Sequence, residues 1–300
     1  MLEDLPETEP VLGCAPGPSM LPSFLIRTAQ DLRQLKSWGP DLLVSDGDGP
    51  SIHAARALGV PSVAVGHGLI FKHTELDTRL PLQKHWREVA NAMSSSWPAQ
   101  RRVAVHFAPV PPRTEGTVVA RPDLPDTLRR STRREDFLLA YFRDDNGSEL
   151  MSRLIRRGHR VVCFGRPKQA PSGVEVHAPS VHAFGDALGR CKAVVGSSGN
   201  HLSAECALLG LPLLALHRRG DGEQEMNARL VQSAGIGIGS TIEDTSDELL
   251  QRFEVELERP RSELVARTQA MTPASVAIQR VIGEALRANA EPREMALNHC

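Results

Sequence analysis

The chain has 300 residues, of which 41% are hydrophobic, 24% charged and only 4% aromatic, and its formal net charge is −1. Such a length suits two domains of about 150 residues each, and the composition is that of a soluble globular protein with a sizeable core. Balanced charge and scarce aromatic rings exclude a basic or base-stacking nucleic-acid platform, so no nucleic-acid partner is expected.

The five cysteines are odd in number and scattered, with no C-x-x-C pair. This argues against a disulfide framework or zinc knuckle, and Cys163, Cys191 and Cys206 read as small core residues. No run has the length of a membrane-spanning helix, and the amino terminus Met1-Leu2-Glu3-Asp4 is acidic, so a cytoplasmic protein is expected.

Along the chain, Leu32, Leu35 and Trp38 are spaced as on a helix over 29–38, which Gly39-Pro40 ends. Continuous apolar runs then predict buried parallel strands at 41–46 and 62–65, joined by a short helix at 52–58. The second strand ends at Gly66-His67-Gly68. A helix is predicted at 82–93 and a strand at 104–107. The proline-rich passage 109–125 and the basic run 129–134 read as a linker with a solvated charge cluster.

The alternation restarts beyond the linker. Strands are predicted at 137–142, 160–164 and 174–177, and helices at 148–157 and 181–189. Next come a strand at 193–195, the small-residue turn Gly196-Ser197-Ser198-Gly199-Asn200-His201, a helix carrying Glu205, and a strand at 213–216. Glu223-Gln224-Glu225-Met226-Asn227-Ala228 follows that strand. A helix at 226–234, a strand at 236–239 and helices at 247–258 and 275–288 complete the pattern, which is that of a doubly wound α/β domain.

The turn from Gly196 to His201 leads straight into a helix, so its N–H groups and hydroxyls sit beside a positive helix end and suit a phosphate. Glu205, one or two turns on, can hold a ribose diol. Glu223 and Gln224 follow the next strand, at the same sheet edge, where open parallel sheets bind ligands. The stretch reads as a nucleotide-sugar pocket.

On these residues the chain resembles glycosyltransferases with two Rossmann-like domains facing across a cleft, the GT-B fold, in the branch of the peptidoglycan lipid-linked N-acetylglucosaminyltransferase. The resemblance implies transfer from a nucleotide diphosphate sugar, a UDP-sugar above all, to an acceptor it leaves undefined, without metal or cofactor. It implies that Ser197, Ser198, Gly199 and His201 neighbour the diphosphate, Glu205 holds the ribose, and Glu223 and Gln224 face the sugar. The plant natural-product branch usually has Asp at the position of Glu223 and Asn at that of His201.

Other readings stand beside these. Asn146 and Gly147, in the turn before 148–157, either face the diphosphate or form an ordinary turn. Arg166 either pairs with phosphate or points to solvent. Asp46, Asp48 and His67, at strand ends of the first domain, are the candidate bases, with His67 and Asp46 put forward. Asp46-Gly47-Asp48-Gly49 lacks the remaining ligands of a calcium loop.

The expected domains are 1–125 on the acceptor side, 126–274 on the donor side, and a final helix with tail at 275–300. The first domain is expected to lack the strand, glycine-rich turn and histidine with which the family begins, because Val11 to Pro18 is too rich in proline for a central strand. Three explanations stay open: a mis-assigned start, a truncation, or a partner chain that completes the sheet. The rival to a complete enzyme is therefore a donor-binding subunit or regulatory module. Association with a membrane surface is a further open expectation.

Overall fold

The computed structural model of the chain describes residues 21–77, 81–125, 128, 134–142, 147–165 and 170–297, with side chains in the last helix described to residue 288. The first half comprises α1 (Leu21–Trp38), β1 (Leu43–Asp46), α2 (Gly49–Ala57), β2 (Ser62–Gly66), α3 (Ile70–His73), α4 (Leu82–Ser96), β3 (Arg101–Val105) and β4 (Thr117–Ala120). The second comprises β5 (Leu138–Tyr141), α5 (Ser148–Arg156), β6 (Val161–Phe164), β7 (Val174–His177), α6 (Val181–Arg190), β8 (Ala193–Ser197), α7 (Asn200–Leu209), β9 (Leu213–His217), α8 (Gly222–Ser233), β10 (Gly237–Thr241), α9 (Asp247–Leu257) and α10 (Ser262–Ala270). A long α11 (Ala274–Leu297) ends the described chain.

Two wholly parallel sheets result, ordered β1-β2-β3-β4 and β10-β9-β8-β5-β6-β7. The inner strands β2, β6, β8 and β9 are covered on both faces and read as continuous apolar or small-residue runs, whereas the edge strand β7, Val-Glu-Val-His, alternates and is largely exposed. In β5, Leu138 and Ala140 pack with Leu150, Leu154, Leu250 and Phe253 of α5 and α9. Leu139 points the other way, into the layer that holds Ala204 and Ala207 of α7 and Met226 and Leu230 of α8. That layer continues into the first half through Ala64, Ala104 and Phe107.

The opposite face of the first sheet, carrying Val63, Val65 and Val103, is covered by Ala277, Val281 and Ala285 of α11. The last helix thus packs on the first sheet. Its start is tied there by backbone hydrogen bonds from Arg121 to Thr272 and from Ala274 to Arg121, and by Asp123, which accepts from the N–H and hydroxyl of Ser275.

The structure revises several expected boundaries. α1 starts eight residues before the expected 29–38 helix, because Leu25, Ile26 and other apolar residues before it stay exposed and carry little periodic signal. The passage read as a linker contains β4, whose Thr-Val-Val-Ala run pairs with β3 from Arg102 to Val105. Three successive β-branched residues outweigh the flanking prolines. β3 lies three residues earlier than the expected 104–107, which leaves His106 and Phe107 beyond the strand end. α8 starts at Gly222, four residues early, since the Asp221 side chain accepts the N–H of Gln224 and caps it. Among the described residues β1 pairs with β2 alone and forms an edge.

Cys163, Cys191 and Cys206 are buried and free of disulfides. Burial raises the Cys191 thiol to about 12 and that of Cys206 well above its ordinary value, so both are core residues rather than nucleophiles.

Two glycines separate backbone demand from chance. A Cβ on Gly237 would lie 1.9 Å from the Leu213 carbonyl oxygen, whereas one on Gly185, inside α6, would meet nothing within 4 Å. Gly237→Ala is expected to lower unfolding free energy by about 1–3 kcal/mol, and Gly185→Ala to raise it by about 0.5–1 kcal/mol. Urea unfolding of both variants measures the two signs.

Candidate functional site

The second sheet reverses direction at β5: the chain proceeds to β6 and β7 on one side, then crosses to β8, β9 and β10 on the other. The crevice outside the carboxyl ends of β5 and β8 is the topological switch point, where such sheets bind ligands. The loops at this point end in Gly147 and in Ser197-Ser198-Gly199.

Gly199 is the N-cap of α7 and offers no side-chain cap, with φ −74° and ψ 152°. A Cβ there would meet nothing within 4 Å, so neither backbone angle nor packing requires glycine at this position. The helix N-terminus is therefore left without a side-chain acceptor, in the arrangement that suits an anion.

Ser198 differs from the expectation placed on it. Its side chain is fully buried, and its hydroxyl donates to the carbonyl oxygen of Gln224 at 2.8 Å and lies 3.2 Å from that of Leu216. It binds the β8 turn to the start of α8 and so draws 197–201 and 222–224 together. Ser197 ends β8. His201 is exposed in the first turn of α7, and Glu223 is exposed in the first turn of α8 beside the half-buried Gln224.

Glu205, on the sixth position of α7, is half-buried, and burial raises its carboxyl to about 7. Gly147 caps α5 beneath the Phe142 ring, which a Cβ would meet at 2.1 Å. Packing accounts for this glycine. Asn146 and Arg166 lie outside the described residues.

On the facing sheet, Asp46 is exposed at the end of β1. His67, just beyond β2, is held on two sides. Its Nδ1 lies 2.9 Å from the Val105 carbonyl oxygen and its Nε2 lies 2.8 Å from Oδ1 of Asn227 in α8. The Asn200 amide N–H donates to the same Val105 oxygen at 3.2 Å. His106 stacks on His67, with ring centroids 5.3 Å apart and planes 27° apart. Burial, and then the neighbouring His67, hold its pKa well below the ordinary value. Nearby, Lys84 of α4 donates to the buried Glu225 of α8, which also accepts from Arg229.

Sequence reasoning missed Asn200, Asn227, His106 and Lys84 as members of this seam. Asn227 stood in the E-Q-x-x-N-A run, but only the first two residues of that run carried a role. His106 was assigned to a strand. Nothing in the sequence pattern marked Lys84.

A profile of Glycosyl transferase family 1 matches residues 23–258. The chain belongs to this family. Its fold is that of GT-B glycosyltransferases, and it is a transferase. Acinetobacter baumannii MurG superposes with a TM-score of 0.63 at 15% identity, covering 92% of this chain and 84% of that one. SnogD from Streptomyces nogalater gives 0.57 at 18% identity, with 87% and 79% covered. SsfS6 from Streptomyces sp. SF2575, complexed with thymidine diphosphate, gives 0.57 at 18% identity, with 87% and 74% covered. No curated protein matches the sequence. Among the described residues, no helix is long and apolar enough to cross a membrane.

Glu205 yields a pH signature. Its native carboxyl, titrating near 7, keeps a proton that the unfolded chain releases above the ordinary carboxylate range. The native state then binds more protons, so this group's contribution to stability falls as pH rises from about 4.5 to 7. Burial lowers His73 to about 4, which acts in the opposite sense below its ordinary value but equally in parent and variant. Relative to Glu205→Gln, the parent is expected to lose about 1–3 kcal/mol between pH 5 and pH 8. Denaturant midpoints of both proteins across that range measure the difference.

Proposed function

We propose that this chain transfers a sugar from a nucleotide diphosphate sugar, a UDP-sugar by resemblance, to an acceptor hydroxyl brought between the two sheets. The observation that carries the reading is the unobstructed start of α7 at the switch point of the second sheet, with an N-cap glycine that the fold does not require. In this reading the N–H groups at that helix end receive the diphosphate and neutralise the charge that grows on it as it leaves. Ser197 and His201 flank it, and Ser198 acts by holding the turn rather than by contact through its hydroxyl.

Glu205 takes the ribose hydroxyls, which supply donors to a carboxyl otherwise held in an apolar setting. Glu223 and Gln224, joined to the phosphate turn through Ser198, face the sugar. His67 is the base: its Nδ1 is oriented by a backbone carbonyl, which leaves Nε2 for the acceptor proton. Asp46, exposed on β1, has the second claim to that role. The division into an acceptor half, a donor half beginning near residue 126 and a final helix that returns to the first sheet belongs to the same reading. That SsfS6 is found with thymidine diphosphate keeps TDP-sugars beside UDP-sugars as donors to test.

Calorimetric titration with UDP, TDP and their sugars tests this directly. Glu205→Ala is expected to weaken binding by about ten- to a hundredfold, the loss of one charge-assisted contact of about 1.5–3 kcal/mol. Gly199→Ala is expected to leave stability within about 0.5 kcal/mol of the parent while weakening the same nucleotides about tenfold or more, because a methyl group would stand where backbone meets phosphate. A folded chain that binds neither UDP nor TDP would sink the proposal.

A further inference from the structure

The His67 ring presents a protonation problem. As oriented, both of its partners are acceptors, the Val105 carbonyl at Nδ1 and Asn227 Oδ1 at Nε2, yet a neutral imidazole has only one N–H. The Asn227 side chain is fully buried, and its Nδ2 has no hydrogen-bond partner. A buried donor without an acceptor is a rarer and costlier fault than an underused carbonyl.

Two schemes resolve this. In the first, His67 is an imidazolium that donates to both carbonyl oxygens. That sets a charge against the buried His106 ring, and among the described residues no carboxylate hydrogen-bonds to either ring. In the second, the amide turns end for end, Nδ2–H donates to Nε2, and Nδ1–H donates to Val105. The two ends of a carboxamide have nearly the same shape, so hydrogen-bond logic decides its orientation. The second scheme gives Nδ2 its acceptor and buries no charge.

The titratable groups on the surrounding elements agree with it. His106 is buried after β3, Asp46 stands exposed at the end of β1, and His201 is exposed in the first turn of α7. Glu225 on α8 is already engaged by Lys84 and Arg229.

We propose that Asn227 is a positioning residue for His67: its amide N–H, delivered from α8, keeps Nε2 an unprotonated acceptor and occupies the place that the acceptor hydroxyl takes during transfer. The proposal rests on the glycosyltransferase reading above with His67 as base. In the step itself the hydroxyl proton passes to Nε2, and a lone pair of the hydroxyl oxygen forms the new bond to the anomeric carbon. The old anomeric C–O bond breaks, and its electron pair leaves on the nucleotide diphosphate. Val105, accepting from Nδ1–H, steadies the imidazolium that forms. Hydroxyl and amide compete for one lone pair, so the base is masked until the ends of β2 and α8 part far enough to admit an acceptor.

Nitrogen–proton correlation spectra of the whole chain with ring-labelled histidine test this, with His67→Gln assigning the signal. The parent is expected to show the Nδ1–H tautomer with Nε2 unprotonated at pH 8. An Nε2–H tautomer or an imidazolium at that pH overturns the proposal, and this measurement needs no position-227 variant to fold. Asn227→Asp offers Nε2 a carboxylate and is expected to raise the His67 titration midpoint by about one pH unit or more, moving the acid limb of the transfer rate by the same amount. A midpoint equal to the parent's overturns it. Failure of the wider reading is seen separately, as loss of nucleotide diphosphate binding in the calorimeter, which depends on α7 and not on Asn227.

Discussion

Parallel strands place all their carboxyl ends on one edge, and here two such edges meet. The carbonyl oxygen of Val105, at the end of β3, is one point at which they are joined: it accepts from His67 of its own sheet and from Asn200 at the start of α7. A carbonyl oxygen has two lone pairs, and this one spends one on each half of the molecule. The helix end that suits a phosphate is thereby fixed in relation to the histidine that suits a hydroxyl. In the proposed reading, neither feature alone would amount to a transfer site.

The seam is only partly satisfied in polar terms. Both nitrogens of His106 and Oδ1 of Asn200 are buried without partners, at a cost of about 1–3 kcal/mol for each fully orphaned group. Against this stand the buried Glu225 with Lys84 and Arg229, and the apolar layer that runs from Ala64 and Phe107 to Met226 and Leu230. Cohesion comes from the apolar layer and the ion pair. The unsatisfied Asn200 oxygen and His106 ring would gain by rehydration if the edges separated.

Much of this architecture was legible in the sequence because fully buried parallel strands leave continuous apolar runs such as Ala193-Val194-Val195 and Leu213 to Leu216. Turn chemistry was legible for the same kind of reason, since Gly196 to His201 combines small residues that few other structures need. What escaped was long-range. Thr117 to Ala120 hid among prolines because its strand character comes from pairing with β3. Lys84 and Glu225 are 141 positions apart, and no local pattern couples them. Asn227 was visible but unread, because an asparagine in a helix says nothing about which ring it will meet.

Gly147 and Gly199 show how the structure changes the weight of residues that look alike in sequence. Each was a glycine in a strand-to-helix turn with a claim on the diphosphate. Gly147 lies under the Phe142 ring, and that contact explains it completely. Gly199 has an ordinary φ and open space where a side chain would stand, so the folded chain by itself gives no reason for it. A residue that packing explains carries no information about ligands. Open space alone does not point to a ligand, since Gly185 has it too; what distinguishes Gly199 is its place at the N-cap of a helix facing a switch point. The strength of the nucleotide reading rests on that place in the fold more than on the count of polar residues in the turn.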